Sequence, residues 1–327
     1  MDKGDIVINL HDLHSDSNSF HQDVLVGLQK RQKEIPAKYF YDARGSELFE
    51  SICMQDEYYI PPTEIAIMKA NIEEMVGLLG ESVILVEYGC GDCTKARILL
   101  SHLPDPAAYI PVDISREQLA AITRELISDY PDLEVLPVCA DYSNTFSLPV
   151  HKKMGKSKVV YFPGSSIGNF EPYAAVEFLK RICRLCGRDG ALLIGVDLKK
   201  DSGVLHRAYN DSQGVTTAFN LNILERINRE LGGDFKPDYF EHRALYNQSN
   251  GRIEMHLESL KEQVVHLDNL AIRFSAGESI WTESSYKYHI AEFEHLANNA
   301  GLALKRAWTD EKQWFSVMCF VQAEQAA

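Results

Sequence analysis

Between Ser82 and Leu198 the chain repeats one pattern. A short apolar run ends in glycine, acid or polar residues and is followed by a helix-like or irregular stretch. The runs are "SVILVEYGCG", "AAYIPVDIS", "LEVLPVCADYS", "KVVYFPGSSIGNF" and "GALLIGVDL". They are too short for helices and too continuously apolar for half-exposed strands, so each reads as a strand buried on both faces. Amphipathic segments stand before and between them: "TEIAIMKANIEEMVGLLG", opened at Thr63, then "REQLAAITRELISDY" and "EPYAAVEFLKRICRLCG". Ser115, followed three residues on by Gln118, reads as a capping box for the second. Strands alternating with helices predict an α/β, Rossmann-like sheet, mostly parallel, with right-handed crossovers.

The alternation lapses after Leu198. From Lys199 to about Ser285 one helix, "TTAFNLNILERINRELGG", is mixed with β-like runs such as "RIEMHLESL", "EQVVHL" and "LAIRFSAGE". It returns with "HIAEFEHLANNAG", "LALKRAWT" and "FSVMCFVQA". We therefore expect a Rossmann-like domain of residues 63–198 and 286–327. An inserted α+β domain of residues 1–62 and 199–285 is expected to bind the substrate.

The formal charge of −14 over 327 residues argues against nucleic acid as partner, because phosphate binding needs positive charge. The opening residues are polar without an apolar core, and no run is long enough to cross a bilayer. With seven cysteines, an odd number, a disulfide framework is not expected. The expectation is a cytoplasmic monomer acting on a small polar molecule, away from membranes. No metal is expected. Cys90/Cys93 and Cys183/Cys186 have the spacing of a zinc pair, but the first lies in a glycine turn and the second in a helical pattern. The histidines show no H-E-x-x-H spacing.

The first strand ends at Glu87-Tyr88-Gly89-Cys90-Gly91. Two glycines let the backbone turn sharply beside a ligand. The third glycine of a dinucleotide loop is replaced by Thr94, so a pyrophosphate is poorly supported. An acid before G-x-G suits a nucleoside without phosphates, such as S-adenosylmethionine. Asp113, closing the second strand, is placed to take the ribose hydroxyls, and Asp141-Tyr142, closing the third, to take the adenine. Lys95, just after the loop, joins the cofactor set.

Longer stretches resemble a known family. "KYFYDARGSELFESI", "EYYIPPTE", "FPGSSIGNF", "DLKKDSGVLHRAYND", "GVTTAFNLNILERINRELGGDF", "RIEMHL" and "TESSYKY" are similar, in order, to the histidine-specific Nα-methyltransferases of ergothioneine biosynthesis. The resemblance runs from about Lys38 to the C-terminus. It implies a class I methyltransferase fold with a mostly parallel seven-stranded sheet. S-adenosylmethionine would be the co-substrate, and L-histidine would be converted to trimethylhistidine (hercynine) by three methyl transfers. It implies that Asn169 and Tyr209 hold the histidine carboxylate and that Gly164 and Tyr41 lie near the α-amine. Tyr58, Glu283 and Ser285 would contact the imidazole, Met255 would wall its pocket and Phe49 would line the site. The loop is G-C-G where some members have G-S-G, and Ser284 stands beside Ser285.

These roles make physical sense. Methyl transfer from a sulfonium needs a neutral amine held in line with the methyl group. Tyr41 could take a hydrogen bond from that amine or relay its proton through water. The faces of Tyr41 and Phe49 would tolerate the quaternary ammonium that results. A carboxylate and a hydroxyl can engage both imidazole nitrogens. Two alternatives stay open: a sister enzyme for another amino acid such as tryptophan or tyrosine, and a non-catalytic S-adenosylmethionine-binding protein.

Overall fold

The computed structural model describes residues 10–13, 17–153 and 155–324. Most of the polar opening stretch, read above for a leader segment, lies outside them. The chain divides into two compact units. One takes Met1–His14, Ile60–Lys199 and Tyr288–Ala327; the other takes Ser15–Tyr59 and Lys200–Lys287, each so far as its residues are described.

The first unit is built on a nine-stranded sheet. In spatial order it runs His11–Asp12, Val138–Cys139, Ala108–Asp113, Val83–Tyr88, Ser157–Phe162, Ala191–Asp197, Phe315–Gln322, Leu302–Thr309, with Glu134–Val135 beside Ala108–Asp113. Pairing is parallel as far as Ala191–Asp197 and antiparallel for the last two strands. The expected seven-stranded sheet is present, with its third strand in two pieces and the two-residue strand His11–Asp12 added. The central strand Val83–Tyr88 is buried at every position, which explains its unbroken apolar run. From it the chain first moves to Ala108–Asp113 and later returns to its other side with Ser157–Phe162. The order of strands thus switches at the C-terminal end of Val83–Tyr88, where open α/β sheets bind ligands.

Three expectations need correcting. The third strand is broken into Glu134–Val135 and Val138–Cys139. Pro137 lies between them and has no N–H for a ladder. The helix placed at Thr63 starts at Ile60 and takes Pro61 and Pro62 into its first turn, where a proline loses no hydrogen bond. Ser115 makes no side-chain cap on Arg116–Asp129; its own N–H donates to Asp113 Oδ1 at 2.9 Å. A fourth difference concerns the boundary: His11–Asp12, placed with the substrate domain, pairs with Val138–Cys139 in this sheet.

The second unit holds a four-stranded sheet in the order Lys33–Glu34, Ser279–Tyr286, Arg252–Ser259, Phe240–Asn247. A separate hairpin joins Gln263–Leu267 to Leu270–Phe274. Helices Ala43–Cys53, Ser202–Tyr209 and Val215–Leu231 belong to the same unit. Among the described residues, no helix is long and apolar enough to cross a membrane.

Candidate active site

The glycine loop leaves the central strand with Gly89 at φ +71° and Gly91 at φ +51°, the left-handed region that disfavours a side chain. A Cβ at Gly91 would meet nothing within 4 Å, and one at Gly89 would touch only Tyr142, at 3.7 Å. The conformation and the bare space together make a surface that a ligand can approach closely. Asp113 Oδ2 accepts from the Gly91 N–H at 3.1 Å, so the second strand end braces the loop. Burial raises the Asp113 carboxyl, and the N–H groups of Ser115 and Gly91 hold it back. Asp141 is held by Ser143 and Asn144, and the Tyr142 ring stacks on Tyr88 with centroids 5.9 Å apart and planes 7° from parallel.

Glu87 is fully buried, and burial pushes its carboxyl up to about 8, against the hydrogen bond from Tyr109 and the charge of Lys95. Its Oε1 has no hydrogen-bond partner. An orphaned acceptor in a dry site is costly unless a ligand or water fills it. A cation-bearing nucleoside fits these residues: open glycines, an orphaned acid, strand-end carboxylates and a flat aromatic.

A further buried acid lies beside this set. Glu64, on helix Ile60–Leu79, is fully buried and accepts from Lys95 Nζ at 2.8 Å, Gly164 N–H at 2.9 Å and the Tyr161 hydroxyl at 3.2 Å. It ties the cofactor-set lysine to the turn carrying Gly164 and Asn169. Gly195 makes room for it: a Cβ there would come within 2.4 Å of Glu64 Oε1. Ser165, at φ +60°, fixes the same turn by accepting from the Asp197 N–H at 2.9 Å, and Asn169 ends it exposed.

The second unit brings the other expected residues together. Rings run in edge contact from Tyr41 to Phe49 (5.6 Å), from Phe49 to Tyr58 (6.4 Å) and from Tyr58 to Tyr209 (6.1 Å). Phe219, on helix Val215–Leu231, touches both Tyr41 and Phe49. The Tyr209 and Ser285 hydroxyls are 2.9 Å apart. Met255 is the cross-strand partner of Glu283, so their side chains share a face. Glu283 and Ser285 share it too, being two apart on one strand, which leaves Ser284 on the other. Burial raises the Glu283 carboxyl to about 7, with Lys287 pulling it back. Tyr58 is pushed well up by burial, then by Tyr209, Cys53, Glu283 and Tyr41.

A buried polar chain supports this cluster. His242 Nε2 meets the Tyr209 carbonyl at 2.9 Å, and Asn220 Nδ2 meets His242 Nδ1 at 2.8 Å. A carbonyl can only accept, so His242 carries its proton on Nε2 and is neutral. Burial lowers its pKa in the same sense. Thr282 closes the chain by donating to Asn220 Oδ1 at 2.8 Å, which ties the helix bearing Tyr209 to the strand bearing Glu283. Glu64, Lys287, Phe219 and this chain escaped the sequence reading. Each of them except His242 lies inside a matched stretch, Glu64 in "EYYIPPTE", Phe219 and Asn220 in "GVTTAFNLNILERINRELGGDF", and Thr282 and Lys287 in "TESSYKY", but none carried a role there.

None of the described cysteines is in a disulfide. Cys183 and Cys186 meet the carbonyls of Gly301 and Ala191. Among the described residues, no three His, Cys, Asp or Glu come together to hold a metal.

Comparison with known proteins bears on both halves. Residues 20–322 match the profile of the histidine-specific, S-adenosylmethionine-dependent methyltransferases. The chain belongs to this family. It is 38% identical over 301 residues to histidine N-alpha-methyltransferase of Mycolicibacterium smegmatis, covering 90% of this chain and 92% of that one. With the Mycobacterium tuberculosis protein of the same name it is 37% identical over 299 residues, covering 90% and 92%. A Neurospora crassa protein named ergothioneine biosynthesis protein 1 is 29% identical over 289 residues, covering 85% of this chain but 32% of that one. The sheet described above is accordingly that of a methyltransferase of this family.

Proposed function

We propose that the protein methylates the α-amine of L-histidine three times in succession, with S-adenosylmethionine as donor, and that the product is hercynine. The observation that carries this reading is the match to a histidine-specific family over residues 20–322. S-adenosylmethionine, when bound, supplies a methyl group on a sulfonium. Gly89 and Gly91 take its amino acid part, with Glu87 and Lys95 as its charged partners. Asp113 takes the ribose, and Asp141 and Tyr142 take the adenine.

Histidine is held at three points. Asn169 and Tyr209 bind its carboxylate. Glu283, Ser285 and Tyr58 bind the imidazole, against Met255. Tyr41, with the Gly164 backbone, attends the amine. The reacting amine must be neutral, so its ammonium first gives up a proton, and Tyr41 accepts a hydrogen bond from it or passes that proton to water. Each methyl removes one N–H, and after the third the nitrogen is a permanent cation without donors. The Tyr41 and Phe49 rings tolerate that cation through their faces. A site that relies on aromatic faces beside the amine does not reject the methylated product of each round. The enzyme is read as a monomer in the cytoplasm, without metal, nucleic acid or membrane partners. The product's use in ergothioneine synthesis is suggested by the name of the fungal relative.

The test is mass spectrometry of the purified protein with S-adenosylmethionine and each amino acid separately. Histidine alone should gain methyl groups, up to three. Accumulation of a monomethyl product with no further conversion would refute the successive transfers, and methylation of tryptophan or tyrosine instead would refute the substrate.

A further inference from the structure

Lys287 follows directly on the strand that carries Glu283 and Ser285, and it is 1% exposed, among the largest side chains so deeply buried. Taking an ammonium out of water is costly unless its protons and charge are met. Its Nζ lies 2.9 Å from the Tyr209 hydroxyl, 2.9 Å from the Ser285 hydroxyl and 4.8 Å from the centre of the Tyr209 ring. Its charge also acts on Glu283. One buried cation therefore touches groups assigned above to the carboxylate end and to the imidazole end of the substrate.

An ammonium has donors and no acceptor, so both hydroxyls must accept from Lys287. The two hydroxyls are also bonded to each other, and that bond uses one of their two protons. One hydroxyl proton is left for a ligand. Without the lysine, both oxygens could turn their lone pairs to the substrate, and the pair would have no fixed direction. With it, the pair presents one donor beside the acceptor Glu283. That combination suits a ligand with an oxygen anion or ring lone pair on one side and a ring N–H on the other.

The geometry points to Lys287 as a substrate-positioning residue. Its ammonium orients the Tyr209 and Ser285 hydroxyls and supplies the positive charge that balances Glu283 and the incoming carboxylate. This inference rests on the assignment of those three residues to histidine binding. It needs no contact between Lys287 and the reacting atoms, and it predicts an effect on histidine binding with little effect on the methyl transfer step.

The experiment compares wild type, Lys287→Met and Lys287→Gln in steady-state kinetics with histidine, together with calorimetric binding of S-adenosylmethionine. In Lys287→Met, loss of two charge-assisted hydrogen bonds should raise KM for histidine roughly 10- to 100-fold. kcat should fall by about threefold or less and cofactor affinity should stay within about twofold, since the lysine touches neither reacting atom. Glu283 is faced by Lys287 from its own strand end and by Tyr58, which is itself grouped with Tyr41, Tyr209 and Cys53. Removing Lys287 removes the one influence that lowers Glu283, so the acidic limb of kcat/KM should move to higher pH. A double-mutant cycle gives a second readout: Ser285→Ala should cost much less in the Lys287→Met background than in wild type. Should Lys287→Met fail to fold, Lys287→Gln, which keeps a donor and loses the charge, carries the same cycle and pH profile. An unchanged KM with an unmoved limb would overturn the proposal. So would a parallel loss of cofactor affinity, which would mark a general structural role. If wild type itself does not turn over histidine, the functional assignment falls first and this proposal with it; a wild type active on histidine beside an unaffected Lys287→Met removes the proposal alone.

Discussion

Each unit sets a glutamate at the heart of its expected site, and the two are held in different ways. Glu87 in the first unit lies fully buried, takes a hydrogen bond from Tyr109 and leaves Oε1 without a partner. Glu283 in the second unit lies beside the buried ammonium of Lys287. Burial lifts both, to about 8 and about 7. The first acid keeps an unmet acceptor and is mostly neutral near pH 7. The second has its cation built in and is closer to ionised, which suits an acid that must accept a ring N–H. A cofactor site can take its charge from the cofactor. A selective site for a side chain must be charged in advance, because the alternative ligands it rejects would otherwise find it equally accommodating.

The largest effect should come from breaking the second arrangement. Glu283→Gln keeps the shape and an acceptor oxygen but removes the charge, leaving Lys287 uncompensated and the ring N–H without a charged acceptor. We expect kcat/KM for histidine to fall about 100- to 1,000-fold, the scale of losing a charged hydrogen bond in a buried site. Calorimetric affinity for S-adenosylmethionine should be unchanged, because Glu283 belongs to the other set. Equal losses in both would collapse the distinction between the two acids.

A smaller effect probes the first unit. Gly91 has φ +51° and open space where a Cβ would go. Gly91→Ala should cost stability only the left-handed strain of an L-residue, about 1–2 kcal/mol, read from denaturant unfolding. Cofactor affinity should fall by roughly tenfold or more beyond that, because the methyl group occupies space that a close-lying ligand needs. If affinity is kept while stability falls, the glycine serves the turn alone and the ligand lies elsewhere.

The contrast between the units also explains what could be read in advance. Val83–Tyr88, Ala108–Asp113 and Ala191–Asp197 announce themselves because a strand buried on both faces is an apolar run with few other readings. The glycine loop is equally local: an acid, two glycines and a helix start within a few residues. His11–Asp12 carries no pattern, since two residues cannot show a period. Glu64 reads as the polar face of an amphipathic helix. It points inward because Lys95, Gly164 and the bare Gly195 wait for it, at positions far along the chain. The cluster around Glu283 is of the same kind. Tyr41, Tyr58, Tyr209 and Ser285 are ordinary residues one by one, and only long matched stretches tied them to a substrate. Lys287 lay inside one of those stretches, "TESSYKY", yet a lysine beside a strand end looks like a surface residue until its burial is known.

The smallest effect separates the two acids by pH. A carboxyl whose folded pKa is raised above its unfolded value stabilises the fold relative to the charged form below the unfolded pKa. That contribution is lost as pH rises through the folded pKa. For Glu87 the window runs from the model-peptide range near 4.5 up to about 8, and for Glu283 up to about 7. Stability of the ligand-free protein should therefore decline across the common part of the range through both acids, and between about pH 7 and 8 chiefly through Glu87. Glu87→Gln cannot ionise and can still accept from Tyr109, so its melting temperature should be flatter over that upper interval. Across that interval the difference from wild type should grow by on the order of 1–2 kcal/mol. Thermal melts from about pH 5 to 8.5 read this directly. Saturating S-adenosylmethionine should erase much of the difference in wild type, since a cation near Glu87 lets the carboxylate ionise without penalty. A Glu87→Gln melt that tracks wild type through pH 8 would mean that Glu87 stays ionised without a ligand. The first unit would then be charged in advance as the second is.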